Sequence, residues 1–369
     1  MIECRTIKEL CSVVVDCPHS TPTWTAEGKI VVRNNNIKNG RIDFSSPSYT
    51  DDEHYQQRIK RATPQGGDII ITREAPMGEV GMIPEGIVCC LGQRMVLLRA
   101  NPDICDNYYL LYSLQSRYVQ HQISWSEGTG TTVSNLRIPH LEQLKIPYLP
   151  LSKQRQVSSV LRCLEEKIKH NRVINDNLQQ QAQAIYASMF VDNAEPTWKQ
   201  GHLSDFVIVR YGKDHKKLAD GIYPVYGSGG IMRHVERPLY DKESVLIPRK
   251  GTLNNVMYVN QPFWSVDTMF YTEMRQPNVA KFVYHFVKAK DLASMNAGSA
   301  VPSMTTDILN AMEVAISPAP VLEEFESLVS PMYRAMQEND AQSKKLADLR
   351  NALLPKLMSG EIDVSDIQL

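Results

Sequence analysis

The sequence predicts an α+β protein. Two mixed α/β domains of one fold are separated by two long helices, and the helices pair antiparallel as an intramolecular coiled coil, giving a pseudo-twofold internal repeat. Three observations predict this. Residues 152–189 hold neither Pro nor Gly and carry apolar residues at heptad spacing; the pattern returns near the C-terminus; and each rod is preceded by short β-branched runs punctuated by Gly and Pro. The expected segments are 1–150, 151–192, 193–319 and 320–369.

The first rod sets the frame. Val157, Leu164, Asn171, Leu178 and Ile185 form one seven-residue comb, and Leu161, Ile168, Asn175, Ala182 and Met189 the other. Alternating steps of four and three place both on one seam, interrupted only by Asn171 and Asn175. At ~1.5 Å per residue such a rod is about 55 Å long. Before it, Ile69–Thr72 and Cys89–Leu98 read as strands, Gly78, Gly81 and Gly86 as turns, and 128–132 as a loop. Tyr109, Tyr112, Leu114 and Val119 suit one amphipathic helix within 106–122. After it, Tyr223–Tyr226 runs into the turn Gly227–Gly230, the stretches 244–247, 256–259 and 264–272 read as strands, and 278–290 as a helix.

An internal repeat ties these parts together. At the offset separating Gly130 from Gly298, Val133 meets Val301, Leu136 meets Met304, Leu141 meets Leu309, Leu144 meets Met312 and Ile146 meets Val314. The alignment continues ungapped into the rods, where Val157 meets Phe325, Leu161 Val329, Asn171 Asn339, Leu178 Leu346, Ile185 Leu353 and Met189 Leu357. A repeated polar interruption is not a product of composition. The seam therefore comprises Val157, Leu161, Leu164, Ile168, Asn171, Leu178, Ile185 and Met189 against Asn339, Leu346, Leu353 and Leu357. Asn171 and Asn339 are either buried register-setting residues or a solvated stretch of it. Pro331 and Pro355 lead to the expectation of a second rod that is shorter or bent.

Bulk composition narrows the function classes. A formal charge of −1 over 369 residues gives no global pull toward nucleic acid, so any grip on DNA is local or lent by a partner. Seven scattered cysteines without a CxxC pair argue against a disulfide framework and a zinc site. No membrane-length apolar run occurs and the first ten residues lack a signal-like core, so a cytoplasmic protein is expected.

Catalytic signatures are missing. The sequence has no Walker A pattern, no HExxH and no Asn/Asp-Pro-Pro-aromatic run, and His19, His54, His121 and His215 stand apart from metal-ligand spacings. No metal site or cofactor is expected in this chain. Local cation clusters carry the binding signals. Arg33, Asn34, Asn35 and Asn36 combine the groups that make bidentate contacts to guanine and adenine edges; the alternative is an Asn-rich turn with Arg33 solvated. Arg58, Lys60 and Arg61 suit phosphate or a solvated face. In the second domain Arg210, Tyr211, Lys213, Lys216 and Lys217 form a basic loop with an aromatic, followed by Arg249 and Lys250. Arg73 and Arg249 hold corresponding places after strands, as phosphate contacts or internal ion pairs.

The chain also resembles a known family. Leu144-Lys-Ile-Pro-Tyr-Leu-Pro-Leu-Ser-Lys-Gln-Arg155 leads into the first rod with Pro147, Pro150 and Gln154 at the family's positions. Tyr223–Gly230, Val266–Phe270 and the tail 353–362 are similar to its common segments. Together they resemble the DNA-specificity subunit of Type I restriction-modification enzymes. The resemblance implies two target-recognition domains, each reading one half of a bipartite duplex, with paired helices fixing the gap. It further implies docking of two methyltransferase subunits, which carry S-adenosylmethionine and methylate adenine N6, and through them a restriction/translocase subunit. The chain itself would be non-catalytic. The competing expectation is a helical scaffold with two protein- or carbohydrate-binding domains.

Overall fold

The structure, a computed structural model, describes residues 3–38, 40–125, 135–295 and 303–364; the expected loop at 128–132 and the Gly130/Gly298 match lie outside them. The chain forms two compact units, Met1–His170 with Gln342–Leu369, and Asn171–Ala341. Each combines one α/β domain with part of both long helices.

In the first unit an antiparallel sheet runs in the order Cys11–Asp16, Met95–Ala100, Ile69–Thr72, Val80–Met82. A second sheet places Lys29–Val32 between antiparallel Ser48–Thr50 and parallel Cys89–Leu91. Strand period two explains why the run at Ile69 is apolar throughout. Ile69 and Ile71 face a core with Leu110, Leu111 and Leu114 of helix Asn107–Gln115, while Ile70 faces the other sheet with Val32 and Leu91.

The second unit repeats this connectivity. Its four-stranded order is Val207–Tyr211, Met269–Met274, Ser244–Pro248, Met257–Val259. Asp220–Gly227 lies between antiparallel Gly230–Val235 and parallel Trp264–Ser265. Val245 and Ile247 pack on Phe282 and Phe286 of helix Ala280–Lys288, and Leu246 packs with Val225 and Trp264. The duplication thus extends to topology. The aligned pairs Leu136/Met304, Leu141/Leu309, Leu144/Met312 and Ile146/Val314 are buried in both units.

Three expected elements divide. The 89–98 run turns at Gly92 into Cys89–Leu91 and Met95–Ala100, which belong to different sheets, and 264–272 divides likewise. The 106–122 helix breaks at Ser116, which is extended and caps the following helix Arg117–Ser124 through a bond from Val119 N.

The rods are helices Leu151–Ala187 (37 residues) and Ala319–Met358 (40 residues). The second is the longer and runs through both Pro331 and Pro355, which corrects the expectation of a shorter rod. Pro331 is exposed, so the carbonyl its missing N–H leaves unpaired lies on the solvent side. In the second unit Asn171 Nδ2 donates to the Asn339 carbonyl (3.2 Å), and Asn175 Nδ2 to the Met336 carbonyl and Asp340 Oδ1 (3.2 and 2.9 Å). Val157 and Leu161 cluster with Leu357 in the first unit, and Ala182 and Tyr186 with Phe325 and Val329 in the second, so partner numbers fall as residue numbers rise and the helices run antiparallel. Asn171 is 1 % exposed, which excludes the solvated alternative for it. Asp340 there has its carboxyl pushed up by burial, opposed by the Asn175 bond.

Seam burial is uneven for a physical reason. Val157, Leu161, Ile168 and Leu357 are buried, whereas Leu164, Leu178, Ile185, Met189, Leu346 and Leu353 are half-buried. Two helices alone cover only a stripe of one another. Full burial comes where a domain adds a third wall, as Tyr109 and Tyr112 do for Val157 and Leu161. In the second unit Ala182, Tyr186 and Phe190 carry that load, and a π turn at Ser188–Asp192 rotates Met189 aside in favour of Phe190.

Gln154 fixes the start of the first rod. Its Oε1 accepts from Asp106 N (2.9 Å) and its Nε2 donates to the carbonyls of Ile104 and Leu149 (3.0 and 2.7 Å), with the side chain fully buried. Gln154→Ala strands these groups and is expected to cost the first unit about 2–3 kcal/mol, read by urea unfolding. A loss under about 0.5 kcal/mol would contradict this role.

Candidate nucleic-acid interface

The sequence-flagged cations gather at one end of the equivalent four-stranded sheets, and the fold spends them differently. In the first unit Arg58 is 7 % exposed and does not face solvent. Its guanidinium donates to the carbonyls of Leu91 (2.7 Å), Gly92 (2.8 Å), Ser20 (3.1 Å) and Pro18 (3.3 Å). Arg73 is likewise internal. Its Nη1 sits 3.0 and 2.9 Å from the two oxygens of Asp16, and its Nε donates to the Leu136 carbonyl (2.9 Å). These positions correct the phosphate reading of both residues: their donors are committed to the fold. Lys60 and Arg61 are exposed, with Arg61 Nη1 donating to the Asp16 carbonyl (3.2 Å).

The Arg33–Asn36 stretch forms a 3-10 turn at the end of strand Lys29–Val32. Asn36 Oδ1 accepts from Arg33 N (2.9 Å), and Asn34 Nδ2 donates to the Glu74 carbonyl (2.8 Å), so two of the three amides hold the turn. Arg33 and Asn35 face outward. The Arg33 guanidinium lies 5.1 Å from the ring of Trp24, itself 46 % exposed, and donates to Ser48 Oγ at 3.4 Å.

In the second unit Tyr211 ends strand Val207–Tyr211, 50 % exposed, with Phe270 edge-on at 5.0 Å and the Arg249 guanidinium 5.3 Å from its ring. Register makes Tyr211 the counterpart of Asp16: Tyr211 pairs with Phe270 as Asp16 pairs with Val96. The corresponding arginines, Arg73 and Arg249, thus meet a carboxylate in one copy and an aromatic face in the other. Arg210 is held by Glu273 (3.1 and 3.3 Å), which removes its fork from the cluster. Lys213, Lys216, Lys217 and Lys250 are exposed and form no ion pair among the described residues. Asp214, in their midst, has its carboxyl held below the usual range by the Lys216 main-chain N–H. Clustered cations of this kind suit a polyanion.

The structure also equates two turns that look unrelated in sequence. Gly92 N donates to the Val32 carbonyl and Val266 N to the Tyr226 carbonyl, so Arg33 and Gly227 follow equivalent strand residues. The Arg33–Asn36 turn of the first domain therefore stands where Gly227–Gly230 stands in the second. Both abut the loop after the corresponding arginine, through Asn34 to Glu74 and through Asn255 Nδ2 to the Ser228 carbonyl (2.8 Å).

The flagged histidines lie on separate segments. His19 lies 3.0 Å from Asp16, His54 caps with Asp51, and His121 packs on Trp125. Sequence reasoning missed His285, whose Nδ1 meets Gln183 Oε1 (2.8 Å) and whose Nε2 meets the Tyr333 hydroxyl (2.9 Å). No group of His, Cys, Asp or Glu among the described residues is arranged to hold a metal. No disulfide joins any of the seven cysteines, and no described helix is long and apolar enough to cross a membrane.

One α/β domain present twice, with an outward-facing basic sheet end, defines a two-module binding protein. The chain belongs to the family described as "Type I restriction modification DNA specificity domain", which matches residues 3–180 and 195–341: it is a DNA-specificity subunit of a Type I restriction-modification system. It is 23% identical over 345 residues to the "Type I restriction enzyme MjaIX specificity subunit" of Methanocaldococcus jannaschii, covering 82% of this chain and 79% of that one. It is 23% identical over 281 residues to the "Putative type I specificity subunit S.MgeORF438P" of Mycoplasma genitalium, covering 69% and 70%. The crystal structure of a Type I system S subunit from M. genitalium shares the fold, with a TM-score of 0.60, 19% identity and coverage of 97% and 96%. Family membership displaces the protein- or carbohydrate-binding scaffold.

Proposed function

We propose that each domain reads one half of a bipartite duplex DNA site and that the paired helices set the gap between the halves. The observation that carries this is the duplication itself, with the same sheet end presented twice and furnished with different side chains: Arg33, Asn35, Lys60 and Arg61 in one, Tyr211, Lys213, Lys216, Lys217, Arg249 and Lys250 in the other. Equivalent frames with different surfaces suit two different half-sites. The chain serves as a non-catalytic subunit, docking two methyltransferase subunits that bring S-adenosylmethionine and methylate adenine N6, and through them a restriction/translocase subunit. Near-neutral overall charge fits a DNA grip shared with such partners.

Comparing the methylomes of cells with and without the gene, partner subunits expressed, tests the reading. One split adenine-methylation motif is expected to vanish; an unchanged methylome refutes it. Matched seven-residue deletions in both helices, which preserve the heptad, remove about 10 Å. They are expected to shorten the spacer by about three base pairs, at ~3.4 Å each. An unchanged spacer would exclude the helices as the ruler.

A further inference from the structure

We infer that Arg33, stacked on Trp24, is a specificity-determining residue that reads a single guanine in the half-site of the first domain. The inference rests on the bipartite reading above and adds a residue and a base to it. Four observations carry it. The guanidinium is exposed, and among the described residues it has no carboxylate partner, whereas Arg73, Arg94, Arg99, Arg210, Arg233 and Arg350 are all paired with acids. It is nevertheless held in place: the Trp24 ring lies 5.1 Å away and Ser48 Oγ accepts one bond at 3.4 Å, which leaves most of the fork free. Stacking lowers the entropy lost when a long side chain docks, and the planar fork matches the O6 and N7 acceptors of guanine in the major groove.

The third observation is the turn beneath it. Asn36 Oδ1 closes it on Arg33 N and Asn34 pins it to Glu74, so the main chain that presents Arg33 is fixed by its own amides. The fourth is the second domain, where Gly227 occupies the equivalent position. The fold completes that strand and turn without any side chain there. Arg33 is therefore not required by the shared architecture, and its contacts on the outer face serve the first domain alone.

The test uses the chain assembled with its partner subunits on duplexes carrying the motif found by methylome sequencing. Replacing each half-site guanine in turn by 7-deazaguanine removes N7 without touching the protein. At one position in the half-site of the first domain the loss is expected to be about 5- to 150-fold, with little change elsewhere. Arg33→Ala should produce at least as large a loss on the natural duplex and a smaller one on that 7-deaza duplex, where only the O6 bond is left to remove. Arg33→Lys keeps charge and stem but lacks the fork, and should relax the choice of base at that position alone. Equal melting temperatures of wild type and Arg33→Lys assure that folding is not the cause. A uniform fall in affinity across all sequences, with a shallower salt dependence, would make Arg33 a phosphate contact and overturn the inference. No change in any variant would overturn it too. Either result leaves the split motif intact, whereas absence of a split motif refutes the bipartite reading itself.

Discussion

Replacing Arg58 by Met lowers the stability of the first unit by about 3–5 kcal/mol, because a buried cation bonded to several main-chain carbonyls is removed and its acceptors keep no donor. Leu91, Gly92, Ser20 and Pro18 supply those acceptors, so one side chain ties the strand Cys89–Leu91 to the 18–20 loop. Burial pushes the guanidinium toward its neutral form, yet an arginine stays charged, and its cost of desolvation is offset only while the carbonyls remain in place. Methionine fills comparable space but donates nothing. Arg61→Met, on the exposed side of the same short run, is expected to change stability by less than about 0.5 kcal/mol. DNA binding separates the two further. If Arg61 meets a phosphate, its loss reduces the slope of log affinity against log salt by about one, while the folded fraction of Arg58→Met keeps the wild-type slope. Urea unfolding followed in the first unit and salt titration of the assembled complex check both parts. Equal stabilities of the two variants would contradict the burial argument.

The same comparison shows what was legible in the residues. Period seven gave the rods, and ungapped alignment gave the duplication, because apolar burial leaves a periodic trace at every turn. The loss of Arg58 to the interior was harder to see, since Arg58, Lys60 and Arg61 look alike as a string. A weak signal existed: Tyr55 and Arg58 are three apart on the helix Asp52–Arg58, and both face inward. Arg73 and Arg249 follow matching strand runs in the sequence, but the Arg73 partner Asp16 comes from a strand whose register no local pattern reveals. Strand breaks at Gly92 and 266–268 were missed because both halves of each run are apolar; only the switch between sheets divides them. The exposed stack of Arg33 on Trp24 joins residues on separate segments, and single-sequence reading has no period by which to pair them.

Lowering pH from 7 toward 4 is expected to strip the second unit of stability on the order of 3 kcal/mol through His285 alone. Every residue of its helix from Ala280 to Val287 is buried, and the imidazole is fully enclosed by Tyr186, Tyr284, Phe325 and Tyr333. Gln183 Oε1 can only accept, so Nδ1 carries the proton and Nε2 accepts from the Tyr333 hydroxyl. Both nitrogens are thereby satisfied in the neutral ring. Charging it would turn Nε2 into a donor facing a hydroxyl already pointed at it, with no carboxylate among its bonded partners. Burial accordingly pushes the pKa of His285 down to about 4 from an ordinary 6.5. The sign follows from proton counting. Between these values the unfolded chain binds more protons than the folded one, so stability is fully present above about 6.5 and falls as pH drops toward 4. His285→Asn removes the titrating group and also loses part of the network, so it is less stable at pH 7. Its stability should nevertheless fall less steeply with acid, and the gap between the two proteins should narrow by about 3 kcal/mol by pH 4. Urea unfolding of both proteins at several pH values reads that gap directly. A gap that stays constant would mean that His285 titrates alike in the folded and unfolded chains, and would remove it as the acid-sensitive element of the second unit.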